Sequence, residues 1–342
     1  MSSQAGVAGR PSIYDVAAQA GVSHTTVSRV LNGHPNIREA TRRRVQVAID
    51  DLGFTRSSIA RALKTNRTMR IGAFVDSPSE YGPNATLREV ESAARRHGYA
   101  VTAYSAAGDD GGHVDAGLAE FRTQGVDALC VIAPRSSSLD RLREGSVEVP
   151  MLVVKEEPDA GLRTASVDQR AGASMAVAHL LELGHRNILH LAGPLDWFDA
   201  RARAEAWRAA LVEAGLPVPE PAKGDWSSDA GYAFGSTVEL GDATAIFAAN
   251  DQMALGMIHG FMERGIKVPE DVSVVGFDDM PDARHFLPPL TTVRQDFAAL
   301  GHLVIGELLA AIEGRAVEDR ELIEPELRVR SSTARPRAVT KR

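Results

Sequence analysis

The sequence predicts an all-α head, a short linker and an α/β core of two lobes. Three observations carry this. Residues 12–52 hold apolar positions at helical spacing, interrupted by glycine stops. From Met69 onward short apolar runs alternate with helical stretches, the pattern of parallel sheets covered on both faces. Charge divides at the same place: residues 1–68 carry ten Lys/Arg against four Asp/Glu, a net of +6, and the remainder carries −13. A basic head on an acidic body suits phosphate binding by one end of the chain.

In the head, Ser12 followed three residues later by Asp15 is a helix-start signal of the capping-box kind, so a helix opens at Ile13. Gly21 sits where a chain leaving a helix needs positive φ, and Ser23 can cap a second helix. Ala17, Val22, Val27, Val30 and Leu31 close the two short helices on each other. His24, Thr25, Thr26, Ser28 and Arg29 are left outside. Their short polar groups suit base edges in a major groove, which the N-terminal residues of a recognition helix reach first. The other reading of this helix-turn-helix is a helical hairpin with an ordinary solvated face. After Asn32-Gly33, a third helix spans Ile37 to Leu52 and stops at Gly53. Arg42, Arg43 and Arg44 are consecutive and fan around it, so one or two can meet phosphate while the rest stay solvated.

Ser57 to Leu63 is helix-compatible but too short to hold a helix by itself in water. Beyond it, strands are expected at Ile71 to Val75, Ala100 to Tyr104, Ala128 to Ala133 and Met151 to Val154, with helices such as Leu87 to His97 and Val114 to Gln124 between them. A second set has strands near Ile188 to Ala192, Ala245 to Ala249 and Val272 to Phe277. With 342 residues and 44% apolar content the chain is long enough for two or three compact units, and no apolar run reaches membrane-spanning length. Residues 1–9 lack the apolar core of a signal peptide, so the cytoplasm is the expected location. Cys130, the only cysteine, lies in an apolar run and reads as a buried small hydrophobe. Nucleotide-binding glycine motifs are absent, and His179, His185 and His190 share no helix face, which argues against a metal site. No cofactor is expected.

Ligands of parallel α/β sheets collect at the carboxyl ends of strands. Arg201 follows the strand ending at Ala192, Asn250 follows Ala249, and Asp278 follows Phe277. An arginine, an amide and a carboxylate converging on one cleft would suit a polyhydroxylated ligand, with Trp226 offering an apolar plane to a sugar. The plainer readings are helix caps for Asn250 and Asp278, an ion pair of Arg201 with Asp199 or Glu205, and a core position for Trp226.

Tyr14-Asp15-Val16-Ala17, Gly21-Val22-Ser23 and Thr26-Val27-Ser28-Arg29-Val30-Leu31-Asn32 resemble the start of the lactose/galactose repressor family. Ala249-Asn250-Asp251-Gln252-Met253-Ala254-Leu255-Gly256, Val275-Gly276-Phe277-Asp278-Asp279 and Pro288-Pro289-Leu290-Thr291-Thr292-Val293-Arg294-Gln295-Asp296-Phe297 look like further signatures of it. The resemblance extends to about Thr333 and is nearest the lactose repressor branch. It implies a core of the periplasmic sugar-binding-protein type, crossed three times between lobes, near 166–168, 293–297 and 323–325. The implied layout is a DNA-binding head over 1–55, a hinge helix and linker over 56–68 and a core over 69–335, with a disordered tail at 336–342. The N-lobe takes about 69–167 and 297–323, and the C-lobe 168–294 and 324–335.

By the same resemblance, operator contacts fall to Tyr14, Ser23, His24, Thr25, Thr26, Ser28, Arg29 and Asn32. Ser57, Ala60 and Leu63 join them from a hinge helix that orders on DNA and pushes a leucine into the minor groove. The resemblance also assigns effector contacts to Arg201, Asn250, Asp278 and Phe297, and Pro83, Lys155, Trp226 and Gln295 are further candidate effector-binding residues. The chain departs from the branch at Ser57, where many relatives carry Asn. It departs again at Lys155 in place of an acidic residue, Ala133 in place of an amide, and Glu80 in an otherwise apolar loop. Lys155 is expected either to be neutralised by Asp278 or Glu156 or to favour an acidic sugar. The implied function is a non-enzymatic transcriptional repressor, a homodimer on a pseudo-palindromic operator released by a small sugar. Branch members can carry a C-terminal leucine-heptad helix that joins dimers, and residues 328–342 contain no such heptads. The rival readings are a solute-binding protein or a sugar-processing enzyme with the same core.

Overall fold

The structure is a computed structural model that describes residues 11–31, 33–54, 67–76, 79–106, 112–132, 135–145, 148–158, 161–315 and 322–337. It divides into two compact units, Met1–Thr68 and Met69–Arg342.

In the first unit, α1 (Ile13–Ala20) opens on a complete capping box. The Ser12 amide donates to Asp15 at 2.7 Å and the Asp15 amide donates to the Ser12 hydroxyl at 3.4 Å. The Ser12 amide and the Ser12 hydroxyl, each donating to the Asp15 carboxylate at 2.7 Å, lower the Asp15 pKa. Gly21 ends the helix at φ 62°, a conformation that would strain any side-chain-bearing residue. Ser23 then accepts from the Thr26 amide at 3.2 Å and starts α2 (His24–Leu31). The third helix, α3, runs Glu39–Leu52 and stops at Gly53 with φ 59°. Expected from Ile37, it begins two residues later; Ile37 packs on the core ahead of it. Val16, Ala17, Ala20, Val27, Val30, Val45 and Ala48 are the buried centre of this unit. Asn32, Ser57, Ala60 and Leu63 lie outside the described residues.

The second unit has two six-stranded sheets. The first takes β1 (Arg70–Asp76), β2 (Ala100–Ala106), β3 (Ala128–Ile132), β4 (Met151–Val154), β5 (Arg163–Val167) and β11 (Leu322–Ile323), in the order β11-β5-β4-β3-β1-β2. The second takes β6 (Ile188–Ala192), β7 (Ala222–Lys223), β8 (Ala245–Ala248), β9 (Ser273–Asp278), β10 (Thr291–Arg294) and β12 (Glu326–Arg328), in the order β12-β10-β9-β8-β6-β7. Pairing is parallel except between β10 and β12. Helices α4 (Tyr81–Arg96), α5 (Gly112–Gln124) and α6 (Ser136–Glu144) belong to the first lobe. Helices α7 (Gln169–Leu183), α8 (Phe198–Glu213), α9 (Ser228–Thr237) and α10 (Asp251–Glu263) belong to the second. Helix α11 (Phe297–Ile312) follows β10 but packs on the first sheet together with α4. The chain thus passes between sheets after β5, after β10 and between β11 and β12. Helix α4 starts ahead of the expected Leu87, because Pro83 falls in its first turn, where no amide is needed.

Cys130 is buried in β3 and loss of hydration pushes its thiol up to about 12. His190 stacks on Phe247 at 4.8 Å and donates from Nδ1 to the Phe247 carbonyl at 2.8 Å. Burial drives its pKa down to about 4, so it stays neutral and structural. His185 and His179 bond to Thr244 and Thr333. Among the described residues no helix is long and apolar enough to cross a membrane.

Candidate functional site

Two surfaces collect the residues singled out by the sequence. On the head, Ser23, His24, Thr25 and Arg29 are exposed. The Tyr14 ring, 66% exposed on α1, packs against the His24 ring at 5.2 Å. Thr26 and Ser28 are only half-exposed, and the Thr26 hydroxyl is paired with that of Ser23 at 2.9 Å. Tyr14, His24, Thr25 and Arg29 are therefore the groups presented outward. On α3, Arg42 donates to the His34 carbonyl at 3.3 Å and pairs with Glu39 at 3.8 Å, as does Arg43.

In the second unit, a cleft lies between the lobes. It is assembled from the carboxyl ends of both sheets. The first lobe contributes a mainly apolar wall that includes Pro83, Ile132, Val154, Phe297 and Leu300, with Glu80 at its edge. The second contributes Trp197, Asp199, Arg203, Trp226, Asn250 and Asp278, and Gln169 and Gln295 stand at the crossings. Gly193 lets the Trp226 indole lie directly on the backbone, since a Cβ there would collide with the ring.

Three hydrogen bonds closed by one ion pair form a ring that organises the polar side. Arg203 Nε donates to Gln169 Oε1 at 2.9 Å, Gln169 Nε2 donates to Gln295 Oε1 at 2.8 Å, and Gln295 Nε2 donates to Asp278 Oδ1 at 2.7 Å. Arg203 Nη2 returns to Asp278 Oδ1 at 3.7 Å, while Nη1 donates to the Ala249 carbonyl at 2.5 Å. The guanidinium also lies over the Phe277 ring at 3.8 Å. Burial raises Asp278 to about 6 even though Arg203 and Gln295 pull it down; Asp199 and Glu80 add to the rise. Burial likewise raises Asp199 and Glu80. Asn250 caps α10 by accepting from the Met253 amide at 2.9 Å and donates to the Trp226 carbonyl at 2.9 Å, so it is both a cap and part of the lining. Trp226 is likewise both a core residue and a wall.

Two expected residues stand elsewhere. Arg201 faces away from the cleft toward Ser136 at 3.2 Å and Glu157 at 3.4 Å, and Arg203 takes its place. The reason is helical geometry: residues two apart project about 200° from each other, and the face of α8 toward Asp278 is the one with Ala200 and Arg203. Lys155 is buried with its ammonium over the Phe198 ring at 4.5 Å and is not part of the lining. Glu156 turns to Arg170 at 3.1 Å. Pro83, Trp226, Asn250, Asp278, Gln295 and Phe297 do line the cleft. Sequence reasoning missed Arg203, Asp199, Trp197 and Gln169 as lining residues. The repeat Arg201-Ala202-Arg203 offered the choice of arginine, but only knowledge of the buried face could make it. Ala133 lies outside the described residues.

Residues 12–57 match the bacterial regulatory proteins of the lacI family, and residues 177–333 match the periplasmic binding protein-like domain. The chain is 31% identical over 333 residues to the lactose operon repressor of Escherichia coli K12, covering 96% of this chain and 92% of that protein. It is 32% identical over 332 residues to the transcriptional repressor PurR of Vibrio parahaemolyticus, covering 94% and 98%. Its structure is similar to that of the lac repressor dimer bound to operator and the anti-inducer ONPF, with a TM-score of 0.83, 30% identity, and 95% and 99% of the two chains covered.

Proposed function

The chain belongs to the lacI family of bacterial regulatory proteins, a DNA-binding transcriptional regulator and not an enzyme, and we propose that as a cytoplasmic homodimer it represses at a pseudo-palindromic operator and releases it when a small sugar fills the cleft. His24 and Thr25 read bases, Tyr14 supports His24 from α1, and Arg29 and Ser28 position the head on phosphate. Asn32, Ser57, Ala60 and Leu63 complete the DNA contacts, with Leu63 as a minor-groove wedge. Arg203, Asn250, Asp278, Gln295, Trp226, Pro83 and Phe297 hold the effector.

The observation that supports the effector site is the cleft itself, where Arg203, Trp226, Asn250 and Asp278 of one lobe stand opposite the apolar wall of Pro83, Ile132 and Phe297. A concave site with an apolar wall and a few placed polar groups is where small ligands ordinarily bind. Effector and operator are then linked through two conformations of the core, provided the ligand binds one of them better. Couplings of about 1–3 kcal/mol give roughly 5-fold to 150-fold changes in operator affinity.

The test is a selection of duplexes from a random pool by the full chain, followed by binding measurements with and without sugars. A symmetric site whose affinity falls on addition of a sugar is the expected result. A selected site with no two-fold symmetry, or operator binding indifferent to every ligand that binds the cleft, would defeat the reading.

A further inference from the structure

Asp278 lines the cleft at the end of β9, where the backbone takes a conformation that residues with side chains rarely adopt. φ is 106° at Asp278 and 48° at Asp279, two successive left-handed residues, neither of them glycine. Such a turn persists only where its surroundings fix it. Asp251, the first residue of α10, does so from behind the lining, being 1% exposed and not part of the cleft wall. Its Oδ2 accepts from the Met280 amide at 2.8 Å, and its Oδ1 accepts from the Thr292 hydroxyl at 2.5 Å. That hydroxyl accepts in turn from the Asp279 amide at 3.4 Å, so one carboxylate reaches both amides that follow Asp278. Arg330 adds an ion pair to the Asp279 carboxylate at 2.6 Å. Gly276 leaves the room for this arrangement, since a Cβ there would collide with Asp251 Oδ1 and with Leu290.

Resting on the cleft as the effector site, we propose that Asp251 is a positioning residue for the effector, clamping residues 278–280 so that the Asp278 carboxylate stays presented to the cleft. Asp278 Oδ1 is held by Gln295, and Oδ2 faces the opposite lobe, 4.0 Å from the place of a Cβ on Gly82. Without the clamp the turn can relax out of its left-handed conformation, and both oxygens move with it. Packing does not account for a carboxyl at this position. Burial, with the neighbouring Asp278 adding to it, raises Asp251 well above the ordinary carboxylate range, against the pull of Thr292 and Met280. An apolar side chain would avoid that cost, but it would leave the Met280 amide and the Thr292 hydroxyl without their acceptor. Asn250 and Asp251 thus serve the same site differently: the first lines it, and the second acts through Asp278.

Hydrogen–deuterium exchange and calorimetry on the full chain test this, with glucose, galactose and cellobiose as probes. Asp251→Ala speeds exchange of the Asp279 and Met280 amides while β9 stays protected, and it weakens the sugar that the parent binds by about tenfold or more. Asp251→Asn restores both, because its carbonyl can accept from Met280 and its amide can donate to the Thr292 hydroxyl. Thr292→Val removes one of the two anchors without altering side-chain shape, and its effects fall between those of the other variants. Amides of 279 and 280 that exchange no faster in Asp251→Ala overturn the proposal, as does parental sugar affinity in that variant. An Asp251→Asn as damaged as Asp251→Ala also overturns it. Should Asp251→Ala fail to fold, parental exchange and affinity in Thr292→Val have the same force. If the parent binds none of the sugars while exchange follows the expected pattern, the clamp stands and the effector reading of the cleft falls.

Discussion

Tyr14, His24, Thr25 and Arg29 stand in water on the head, while Arg203, Gln169, Gln295 and Asp278 in the cleft are buried and hydrogen-bonded to one another. The first set has few contacts to lose, so an exchange there changes what is recognised and leaves the fold intact. The second set holds the two lobes' crossings together. A change there is felt in stability before it is felt in specificity, because every group removed strands a buried partner.

Arg203→Ala breaks this contrast most strongly. Removing one partner of a buried pair costs about 3–5 kcal/mol. Thermal unfolding of the second unit is expected to move down markedly, with loss of effector binding; calorimetric scanning checks both. An equal loss on replacing Arg201, which has a half-exposed partner in Glu157, would show that the ring around Arg203 has no special weight.

His24→Ala tests the other side. Each good base contact discriminates by about 1–3 kcal/mol. The variant should change the ranking of half-site sequences while its unfolding temperature stays near that of the parent. Uniform weakening across a panel of half-sites would remove His24 from base reading and leave it as support for Tyr14.

The cleft should also answer to pH. Asp278 rises from 3.8 to about 6 on folding, so the folded state holds its proton more tightly than the unfolded chain. Its contribution to stability is therefore most favourable below pH 3.8 and is lost as pH rises through 6. Effector affinity runs in the opposite sense. A ligand hydroxyl donates to the ionised carboxylate, so affinity drops by roughly tenfold per pH unit once the pH falls below that of Asp278. Titrations between pH 5 and 8, repeated with Asp278→Asn, should show the dependence in the parent and a flat profile in the variant.

Ser12→Ala is the smallest of these effects. The capping box is exposed, and loss of such a cap costs about 1 kcal/mol. Chemical denaturation of the first unit should show that shift, with effector affinity unchanged.

The head was largely legible in the chain because its determinants are local. Ser12 and Asp15, Gly21, Ser23 and Gly53 act over three or four residues, and the apolar spacing of Val16 to Val30 specifies which faces meet. The strands β1, β3, β4, β6, β8 and β9 were legible for the same reason, as apolar runs, whereas the inner strands β5 and β10 were not, because Arg, Thr and Ser interrupt their apolar residues. The edge strands β7, β11 and β12 were not, since two or three residues carry no periodicity and owe their form to a neighbouring strand. In the cleft, the sequence determined that polar residues follow the strand ends, hence Asn250, Asp278 and Trp226. Which arginine joins them, and whether Lys155 faces the ligand, was decided by tertiary structure. Arg201 and Arg203 have the same chemistry and adjacent positions, and only the rotation of α8 against its sheet buries one and leaves the other to Glu157. Lys155 ends a strand as the pattern requires, but the Phe198 ring, brought to it from the other lobe, occupies its charge. Local sequence fixes what a segment can form; the partner of a long charged side chain is set by segments more than forty residues away, which no local pattern encodes.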